Sequence, residues 1–570
     1  AEGAWGTVWA SDAISLRDLD GVIGTRFDGT DVYGQAGESV AFAGDLNGDG
    51  LDDLAVGEPD GDGGVGAIYI VYGRTGPFAA TEDLVGMPEG VGTRITPGPA
   101  GGDDVVAFGG RLARLGDLDG DGFDDLAIGS LDTADNAGRA WVLFGRQGGF
   151  PAQAGLGDTG VRALTLRASG PVDFAGAVAS AGDFYAVGLP DRVVGAGEAG
   201  VGGVAYVLFG RDGGVQPFPD ELTLGAWSAG EGIELRGGPG QAAGFVLGGA
   251  PVGLSGDANG DGIDDLLIGA NRSTPAGRPG AGRVYLVFGS RSHGLGDASI
   301  ELPAMPVDVG VRFDALEDGS GMIPRFLGDI NGDGRDDFGL FAPSFGPSGS
   351  SNGRAWIRFG RTLGDDFLPI EPLWVLDPQR GVEISADRAQ SRSFGSSAAA
   401  IGDFVGDVWD AALRGPRSSR FSGSPVVSDA GRGSILQGTS DWPAELERGL
   451  NPERYIPIDG FRRQQAVATS VAGLGDFNGD GINDLVLGAP DRLGTGGGVG
   501  AVFVAFGTTP SVPSCPADID DDGCLTVFDF LAFQNLFDAA DPRAYLDEDG
   551  EFTLFDFLAF QDAFDLGCPE

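Results

Sequence analysis

Short apolar runs that directly follow acidic segments are the dominant pattern of this chain. Residues 54–56 are apolar and are followed by Gly57 and Pro59, a pattern typical of a short buried strand. The segment immediately before them, 45–53, reads DLNGDGLDD, with oxygen-bearing side chains at alternate positions. This spacing predicts a loop in which side-chain oxygens converge on one point, followed by a strand and not by a helix.

The same combination of acidic loop and apolar strand returns along the chain. Complete copies begin at four further aspartates: Asp117, Asp257, Asp329 and Asp476. The segment GDFYAVGLP at 182–190 is interpreted as a copy that has lost its loop. The segment GDFVGDVWD at 402–410 is interpreted as a shortened loop that keeps Asp403, Asp407 and Asp410. Seven copies at a long period predict a repeat architecture.

Each repeat contains three further strand-like segments. One precedes the loop, as in SVAFAGD at 39–45, and an aromatic-rich one ends in Gly, as in YIVYG at 69–73. The last alternates, as in ALTLR at 163–167, with counterparts at 13–17, 232–236, 381–385 and 455–458. Four strands in each of seven repeats predict an all-β, seven-bladed β-propeller. Because nothing after Gly507 resembles a fourth strand, AISLR at 13–17 is predicted to complete the last blade.

The repeats resemble FG-GAP repeats, the unit of the integrin alpha-chain propeller. Phe108-Gly109 and Phe394-Gly395 supply the FG, and residues 488–490 supply the GAP. The resemblance covers about residues 13–507 and implies calcium loops on one face, with a ligand face opposite. The opposite face would carry the connections between second and third strands, at about 60–66, 131–138, 190–203, 271–282, 344–353, 416–433 and 491–499.

The oxygen donors of the five complete loops predict Ca²⁺ as their ligand. Positions 1, 3, 5 and 9 of each loop offer a side-chain oxygen, and position 7 offers its carbonyl. The predicted ligands are Asp45, Asn47, Asp49, Leu51, Asp53, Asp117, Asp119, Asp121, Phe123, Asp125, Asp257, Asn259, Asp261, Ile263, Asp265, Asp329, Asn331, Asp333, Arg335, Asp337, Asp476, Asn478, Asp480, Ile482 and Asp484. We expect a structural role for calcium, with no ion in the third repeat and weak binding in the sixth.

A second, smaller module follows a Pro/Ser-rich linker at 508–517. Residues 518–570 contain two loops of EF-hand type, each followed by a Phe-rich segment with helical spacing. The module resembles a dockerin, over about residues 515–570, which implies a cohesin-like partner. Tyr545 replaces an expected Asp, so the second loop is predicted to be weaker or empty. The predicted ligands are Asp518, Asp520, Asp522, Cys524 (carbonyl), Asp529, Asp547, Asp549, Glu551 (carbonyl) and Asp556.

Two features of the ends of the chain stay open. The three cysteines all lie in the last 56 residues, where Cys515 and Cys568 bracket the C-terminal module and are candidates for a disulfide, and Cys524 would then be unpaired. The N-terminal arm, residues 1–12, contains Trp5 and Trp9 and is interpreted as either an extra edge strand or a contact arm.

Charge narrows the classes of partner. The chain carries 84 acidic and 36 basic residues, a net charge of −48, which argues against nucleic acid and anionic membranes as partners. It fits cation binding, although a merely acidic, soluble surface would give the same count. No apolar run is long enough for a transmembrane helix. Because millimolar extracellular calcium would fill such loops, we expect a protein that is secreted or at the cell surface.

Candidate catalytic groups are few. The single histidine, His293, lies in a predicted surface loop. Residues 349–353 match the G-x-S-x-G pattern but lie in a Gly/Ser-rich stretch, whereas that motif requires a strand–turn–helix. The cysteines and the one histidine allow no zinc pattern. Carboxylate pairs leave a glycosidase possible by composition, but the clustered aspartates already have calcium roles. We therefore expect a protein that is not an enzyme.

Three functions compete at this level. The sequence favours a secreted, calcium-stabilised, non-catalytic adhesion or interaction protein that binds an extracellular protein or glycan and is attached through its C-terminal module. The first alternative is a structural subunit of an extracellular filament or surface layer, assembled by docking of that module on a neighbouring copy. The second is a carbohydrate- or phospholipid-active hydrolase.

Overall fold

The computed structural model divides the chain into two compact units: Ser11–Gly507, and Ala1–Ala10 together with Thr508–Glu570. The structure describes residues 14–507 except 30, 102–104, 134–138, 168–176, 197–201, 227–229, 239–254, 279, 295–298, 316–321, 344–352, 363–366, 372, 374–376, 386–393, 405–409, 415–431, 441, 444, 448–453, 460–465 and 491–498. The predicted N-terminal arm, the linker and the dockerin-like module, with its ligands and cysteines, lie outside the described residues.

Seven five-stranded sheets make up the larger unit. In each sheet the first four strands are antiparallel neighbours, and a short fifth strand pairs in parallel with the fourth. The innermost strands of neighbouring sheets contact one another around the whole ring, and that of the seventh sheet contacts that of the first. The prediction of a seven-bladed β-propeller is therefore confirmed.

The blades are numbered 1 to 7 in the order of their loops, and the strand bounds follow in that order. The innermost strands are Ser39–Gly44, Val105–Gly116, Ala177–Gly182, Ser255–Gly256, Ile323–Gly328, Ala398–Gly402 and Val471–Gly475. The second strands are Asp53–Glu58, Asp125–Thr133, Asp191–Ala196, Asp265–Ala270, Asp337–Ala342, Asp410–Arg414 and Asp484–Ala489. The third strands are Ala67–Val71, Arg139–Leu143, Val204–Leu208, Arg283–Val287, Arg354–Arg358, Arg432–Leu436 and Ala501–Ala505.

The outer strands are shorter or more exposed. The fourth strands are Gly92–Thr96, Ala163–Arg167, Gly232–Arg236, Gly310–Asp314, Gly381–Ser385, Tyr455–Asp459 and Gly24–Asp28. The fifth strands are Gln153–Gly155, Glu221–Thr223, Ser299–Glu301, Ile370–Glu371, Glu445–Glu447, Ile14–Ser15 and Thr81–Asp83. The helical turns are Gly61–Gly64, Gly98–Gly101, Pro275–Gly277, Arg291–Gly294 and Leu302–Ala304. None of these described helices is long and apolar enough to cross a membrane.

The sequence pattern of each strand follows its depth in the blade. The second strand Asp53–Glu58 and the third strand Ala67–Val71 are buried at every position, because neighbouring blades cover both of their faces. The fourth strand Gly24–Asp28 has partly exposed positions among buried ones, as an outer strand should. The FG and GAP segments mark the closest approach of two blades: a Cβ on Gly57 would collide with the carbonyl oxygen of Gly109 in the next blade.

The connection between the third and fourth strands of each blade, here called its strap, reaches back to the preceding blade. The strap of blade 2, residues 144–162, carries Gln153–Gly155, which pairs with the fourth strand of blade 1. The straps of blades 1 to 6 all do this, and each adds the fifth strand of its neighbour. Four strands per blade were predicted, and the fifth was missed because strands of two or three residues show no periodicity.

Aromatic contacts accompany most straps. An aromatic side chain of the strap packs on the aromatic residue that follows the third strand of the preceding blade, and this explains the aromatic-Gly endings in the sequence. The ring-centroid pairs are Phe78–Phe506 (5.2 Å), Phe144–Phe218 (6.0 Å), Phe288–Phe367 (5.5 Å) and Phe359–Trp442 (6.0 Å). In the strap of blade 2, the backbone N–H of Phe150 donates to Oη of Tyr72 at 2.7 Å.

The N-terminal part of the chain closes the ring, but through a different strand from the predicted one. Gly24–Asp28 is antiparallel to the third strand of blade 7, with Phe27 opposite Val502. The predicted closing segment AISLR contributes only Ile14–Ser15, the fifth strand of blade 6. The prediction that AISLR closes the ring was therefore wrong. Its alternation of apolar and polar residues does not distinguish a fourth strand from the short fifth strand that it forms. The initial glycine of GTRFD, which most fourth strands share, was the better signal.

We predict that Phe27→Ala destabilises the propeller strongly. The Phe27 side chain is fully buried and lies edge-on to Phe477 at 6.2 Å, so truncation would leave a cavity and cost about 3–5 kcal/mol. The control is Val22→Ala at a 58% exposed position, where the free energy of unfolding should change by less than about 0.5 kcal/mol. Urea unfolding measures both, and equal effects would contradict closure through Gly24–Asp28.

Candidate metal loops at the blade junctions

Each acidic loop connects the innermost and second strands of its blade, and its backbone wraps around the carboxylate at position 1. In blade 1, Asp45 Oδ1 accepts the N–H of Gly48 at 2.6 Å and of Asp49 at 3.1 Å, and Asp45 Oδ2 accepts that of Gly50 at 2.8 Å. The loops that begin at Asp257 and Asp476 show the same three bonds. The loop is therefore shaped by its own carboxylate.

The side chains at positions 3 and 5 continue this pattern. Asn47 Oδ1 accepts the N–H of Asp49 at 2.8 Å, and Asp49 Oδ1 accepts the N–H of Leu51 at 3.0 Å. These short-range bonds hold the oxygen-bearing side chains of one loop in a fixed order along a tight turn. The predicted ligands are thus presented by one continuous stretch of backbone.

The aspartate that begins the second strand, at position 9 of every loop except the shortened one of blade 6, is buried in every blade. Asp53 Oδ1 accepts the N–H of Gly73, just after the third strand, and Asp53 Oδ2 accepts that of Leu46, each at 3.0 Å. The same bond to a glycine after the third strand occurs in the other six blades, for Asp125–Gly145, Asp191–Gly210, Asp265–Gly289, Asp337–Gly360, Asp410–Gly438 and Asp484–Gly507. This carboxylate therefore ties the loop to the third strand of its own blade.

Burial makes this carboxylate costly to ionise. The pKa of Asp53 and of Asp125 is raised to about 8, chiefly by desolvation and to a lesser extent by neighbouring loop carboxylates, while hydrogen bonds from backbone N–H groups oppose the rise. The pKa values of Asp265, Asp337 and Asp484 are raised well above the ordinary range for the same reason. A divalent cation among these oxygens would favour the ionised form.

Orphaned buried oxygens show that the loops fit a cation. Asp119 Oδ1, Asp265 Oδ2 and Asp337 Oδ2 are buried and accept no hydrogen bond, which is costly for a carboxylate in the absence of a ligand. In blade 2, carboxylate oxygens of Asp117, Asp119 and Asp125 all lie within 4.8 Å of one another. An all-oxygen donor set of this kind suits a hard cation such as Ca²⁺.

The loop of blade 2 differs in having an aspartate at position 3. Asp119 replaces the asparagine of the other four complete loops, and its side chain is buried. Arg162, which precedes the fourth strand of blade 2, forms an ion pair with Asp119 Oδ2. The additional negative charge of this loop is therefore compensated by a cation from the same blade.

The third repeat keeps its loop, contrary to the prediction that it was lost. Asp183 accepts the N–H groups of Val187 at 2.7 Å and Gly188 at 2.8 Å, and the second strand begins at Asp191, as far from Asp183 as Asp53 is from Asp45. Residues 191–196 are thus a strand, although 190–203 was predicted as a connection. Only the oxygens at positions 3 and 5 have been replaced, and a loop can lose its ligands without losing its backbone.

An aromatic residue takes the place of a ligand in this loop. Tyr185 at position 3 stacks on Phe209, with ring centroids 4.2 Å apart and an interplanar angle of 10°. Phe209 follows the third strand of blade 3, the position where a strap aromatic packs at other junctions. In blade 6, Asp410 keeps its bonds to the N–H groups of Gly438 and Phe404, while Asp407 lies outside the described residues.

The loops form the junctions between blades. The third residue after the end of the third strand donates its N–H to the carbonyl at loop position 2 of the preceding blade, at 2.8–3.2 Å. Among the described residues this bond occurs at six junctions: Arg74–Phe477, Arg146–Leu46, Arg211–Leu118, Ser290–Phe184, Arg361–Ala258 and Thr439–Ile330. Anything that orders a loop therefore also orders the adjoining blade.

A second junction contact comes from position 8, which the sequence reasoning did not single out. Asp124 Oδ2 accepts the N–H of Asp45 at 3.0 Å, and the N–H of Asp124 donates to the carbonyl of Asp45 at 3.0 Å. The carboxylate contact recurs for Asp52 on Asp476, Asp264 on Asp183 and Asp336 on Asp257. The repeated Asp-Asp doublet before the second strand was the available signal.

Little of the predicted ligand face is described. The connection 60–66 is described throughout and 271–282 except for 279, whereas most of 131–138, 344–353, 416–433 and 491–499 lies outside the described residues. At the base of 60–66, the hydroxyl of Tyr69 donates to Glu58 Oε2 at 2.9 Å. Burial raises the pKa of Glu58 to about 7.

Comparison with known proteins agrees with this geometry. Residues 36–71, 108–143, 251–287 and 467–504 match the FG-GAP repeat. The chain contains an FG-GAP β-propeller. It is similar to Integrin alpha pat-2 of Caenorhabditis elegans (34% identity over 134 residues, 23% of this chain and 10% of that protein) and to Integrin alpha-5 of Xenopus laevis (32% over 201 residues, 34% and 17%). It thus spans less than a fifth of these relatives.

Two further matches are more limited in what they show. Integrin alpha-PS5 of Drosophila melanogaster is 40% identical over 95 residues, which are 16% of this chain and 8% of that protein. The solved structure of the Dos1 propeller aligns with 84% of this chain and 94% of its own, with a TM-score of 0.36 and 10% identity.

We predict that Asp261→Ala removes one calcium ion from the FG-GAP propeller and Asp183→Ala removes none. Asp261 is a predicted ligand at position 5 of the blade 4 loop, whereas Asp183 heads a loop whose positions 3 and 5 are Tyr185 and Val187. Equilibrium dialysis measures the number of bound ions, and thermal unfolding with calcium or chelator shows how each variant responds. The predicted ligands would be contradicted if Asp183→Ala bound one ion fewer, or if Asp261→Ala bound as many ions as the unmodified chain.

We also predict that calcium stabilises the protein more at pH 8 than at pH 5. Because the pKa of Asp53 and of Asp125 is raised to about 8 without metal, the native state takes up protons as the pH falls from 8 towards 5, and the calcium-free protein becomes more stable. Calcium must displace those protons, so its effect shrinks over the same range. Calorimetric unfolding at several pH values measures the difference in Tm with and without calcium, and a constant difference would refute the prediction.

Proposed function

We propose that this FG-GAP propeller is a calcium-stabilised, non-catalytic interaction protein of the extracellular space or cell surface. The observation that carries the proposal is the placement of oxygen-rich loops with orphaned, buried carboxylate oxygens at the junctions between blades. Similarity to integrin alpha chains supports an adhesion or interaction role rather than a catalytic one.

Calcium would act on stability through residues that already shape the loop. In each complete loop, positions 1, 3, 5 and 9 would offer side-chain oxygens and position 7 its carbonyl, and the ion would compensate carboxylates that otherwise repel one another. Because position 2 and position 8 bond to neighbouring blades, an ordered loop fixes the angle between two blades. A ligand bound only by the native state stabilises it by mass action.

The partner is proposed from the arrangement of the propeller. The loop face is occupied by the acidic loops, so the opposite face, with its connections of unequal length, is available for a protein or glycan. The dockerin-like module at 518–570 would attach the propeller to a cohesin-like domain or to another copy. We thus propose a binding surface on the opposite face, attachment through the module at 518–570, and secretion of the chain.

We predict that the full-length chain binds members of an array of purified extracellular proteins and glycans in calcium but not in chelator. Calcium orders the ring that presents the opposite face, so chelation should weaken binding at least tenfold. Asp261→Ala should weaken binding at limiting calcium, and Asp183→Ala serves as the matched control. Calcium titration by calorimetry is run on the same samples.

Two results would overturn the function. Absence of calcium binding, with a melting curve unchanged by chelator, would remove the calcium-stabilised propeller. Turnover on a panel of glycoside and phospholipid substrates, abolished by substitution of a single residue, would make the protein an enzyme. Binding that is equal in calcium and chelator would show that the ring presents its surface without the ion.

A further inference from the structure

Four of the five complete acidic loops carry an asparagine followed directly by glycine. These pairs occupy positions 3 and 4 and are Asn47-Gly48, Asn259-Gly260, Asn331-Gly332 and Asn478-Gly479. The backbone at position 4 is left-handed in all of them, with φ between 74° and 78°, and Gly120 of blade 2 has φ 71°. Even the ligand-poor loop of blade 3 has φ 55° at Ala186. The fold therefore places glycine directly after the residue at position 3.

This pair of residues has a specific chemical weakness. A glycine nitrogen is unhindered by a Cβ, so it can attack the side-chain amide carbon of the preceding asparagine. A bond from the Gly nitrogen to Asn Cγ forms, the Cγ–Nδ2 bond breaks, and ammonia leaves with the proton from the glycine N–H. Water then opens the resulting succinimide to give either aspartate or isoaspartate, in which the main chain runs through Cγ. No oxidant or reductant takes part.

The closed loop holds both reacting groups in hydrogen bonds. In blade 1, the Gly48 N–H donates to Asp45 Oδ1 at 2.6 Å, and the Asn47 amide bonds to Asp49 through Oδ1 (2.8 Å) and Nδ2 (3.0 Å). Asn47 is 8% exposed, and Asn259 of blade 4 is 1% exposed.

Equivalent glycine bonds hold two of the other loops. In blade 4 the Gly260 N–H donates to Asp257 Oδ1, and in blade 7 the Gly479 N–H donates to Asp476 Oδ1, each at 2.7 Å. Attack by the glycine nitrogen requires these bonds to break and the asparagine to turn, which means that the loop has to open.

We infer that the asparagines at position 3 are deamidation sites whose rate is controlled by calcium. The inference rests on the calcium binding proposed above. An ion bound only by the closed loop suppresses the open state by mass action, so deamidation falls about a hundredfold when free calcium is one hundred times its dissociation constant. A chain that stays without calcium accumulates irreversible changes at four blade junctions.

The two products differ in their effect on the loop. Aspartate keeps the spacing of the backbone and reproduces the residue that blade 2 has at Asp119, where Arg162 compensates the charge. Isoaspartate lengthens the main chain by one carbon between positions 3 and 4 and shifts every later ligand of that loop. Accumulation of isoaspartate therefore weakens calcium binding and the blade junction together.

The experiment follows deamidation of the intact, full-length chain. Samples are incubated at 37 °C and mildly alkaline pH in ¹⁸O-water with either calcium or chelator, and peptides from an arginine-specific digest are analysed by mass spectrometry over time. We expect Asn47, Asn259, Asn331 and Asn478 to gain the label rapidly in chelator and slowly in calcium. Asn352, which also precedes a glycine but lies outside the acidic loops, serves as the internal control, with the same rate in both samples.

A variant separates loop opening from loss of overall stability. Asp261→Ala removes a predicted ligand of the blade 4 loop, so Asn259 should deamidate in calcium at the rate seen in chelator, while Asn478 of blade 7 stays protected. Asp183→Ala, in a loop without these ligands, should leave both asparagines protected. If Asp261→Ala exposes all loops alike, opening is global and the local control by calcium is refuted.

The outcomes also distinguish this inference from the proposed function. Calcium binding by calorimetry, together with equal deamidation rates in calcium and chelator, would refute the inference and leave the calcium-stabilised propeller intact. Absence of calcium binding would refute both. Slower deamidation at the four loop sites in calcium, with an unchanged rate at Asn352, would support both.

Discussion

The buried carboxylate at the end of each acidic loop is the group on which the ring depends. Asp53 and its six equivalents have no exposed surface, and each accepts a backbone N–H from the end of the third strand of the same blade. A buried charge is tolerated only when donors or a cation satisfy it. The loop, the second strand and the third strand therefore converge on one aspartate, and the contacts to the next blade start from the same place.

Blades 3 and 6, whose loops depart from the complete pattern, show which part of this arrangement does not depend on the full set of oxygen-bearing side chains. Asp191 and Asp410 accept the same glycine N–H groups as the aspartates of the complete loops. In blade 3, Tyr185 stacks on Phe209 and makes an apolar contact at position 3, where the five complete loops carry asparagine or aspartate. The hydrogen-bonded framework therefore belongs to the fold, and the complete set of oxygen-bearing loop residues is an addition in five of the seven blades.

Repetition made much of the fold predictable from the sequence. Seven copies of one acidic pattern fixed the number of blades, and the alternation of oxygen donors indicated which side chains the loop gathers. Repetition did not reveal strands too short to show a periodic pattern, such as the three-residue strand Gln153–Gly155. It also did not reveal pairing with a strand far away in the sequence, such as that of Gly24–Asp28 with Ala501–Ala505. The loop of blade 3 was missed because the loss of oxygen-bearing side chains at positions 3 and 5 was taken to mean that the loop backbone was lost as well.

The role of position 8 could not be derived from one repeat. Asp124 bonds to Asp45 of the preceding blade, so its function is visible only when two blades are placed side by side. Within a single loop it looks like another acidic residue close to the ligands. A pattern read along the chain assigns residues to their own repeat, whereas the stability of a propeller lies largely between repeats.

The straps have a consequence for the order in which the protein can be made. Each of blades 1 to 5 obtains its outermost strand from the blade synthesised after it, so these five blades leave the ribosome with an open outer edge, whereas the outermost strands of blades 6 and 7 lie earlier in the sequence. Among the described strands, Gly24–Asp28 is the second to be synthesised and has to wait for Ala501–Ala505, the last of them. Pairing over such a sequence separation is slow, and the unpaired edges persist throughout synthesis. The nascent propeller is thus most exposed to mispairing with other chains in the interval before these two strands meet.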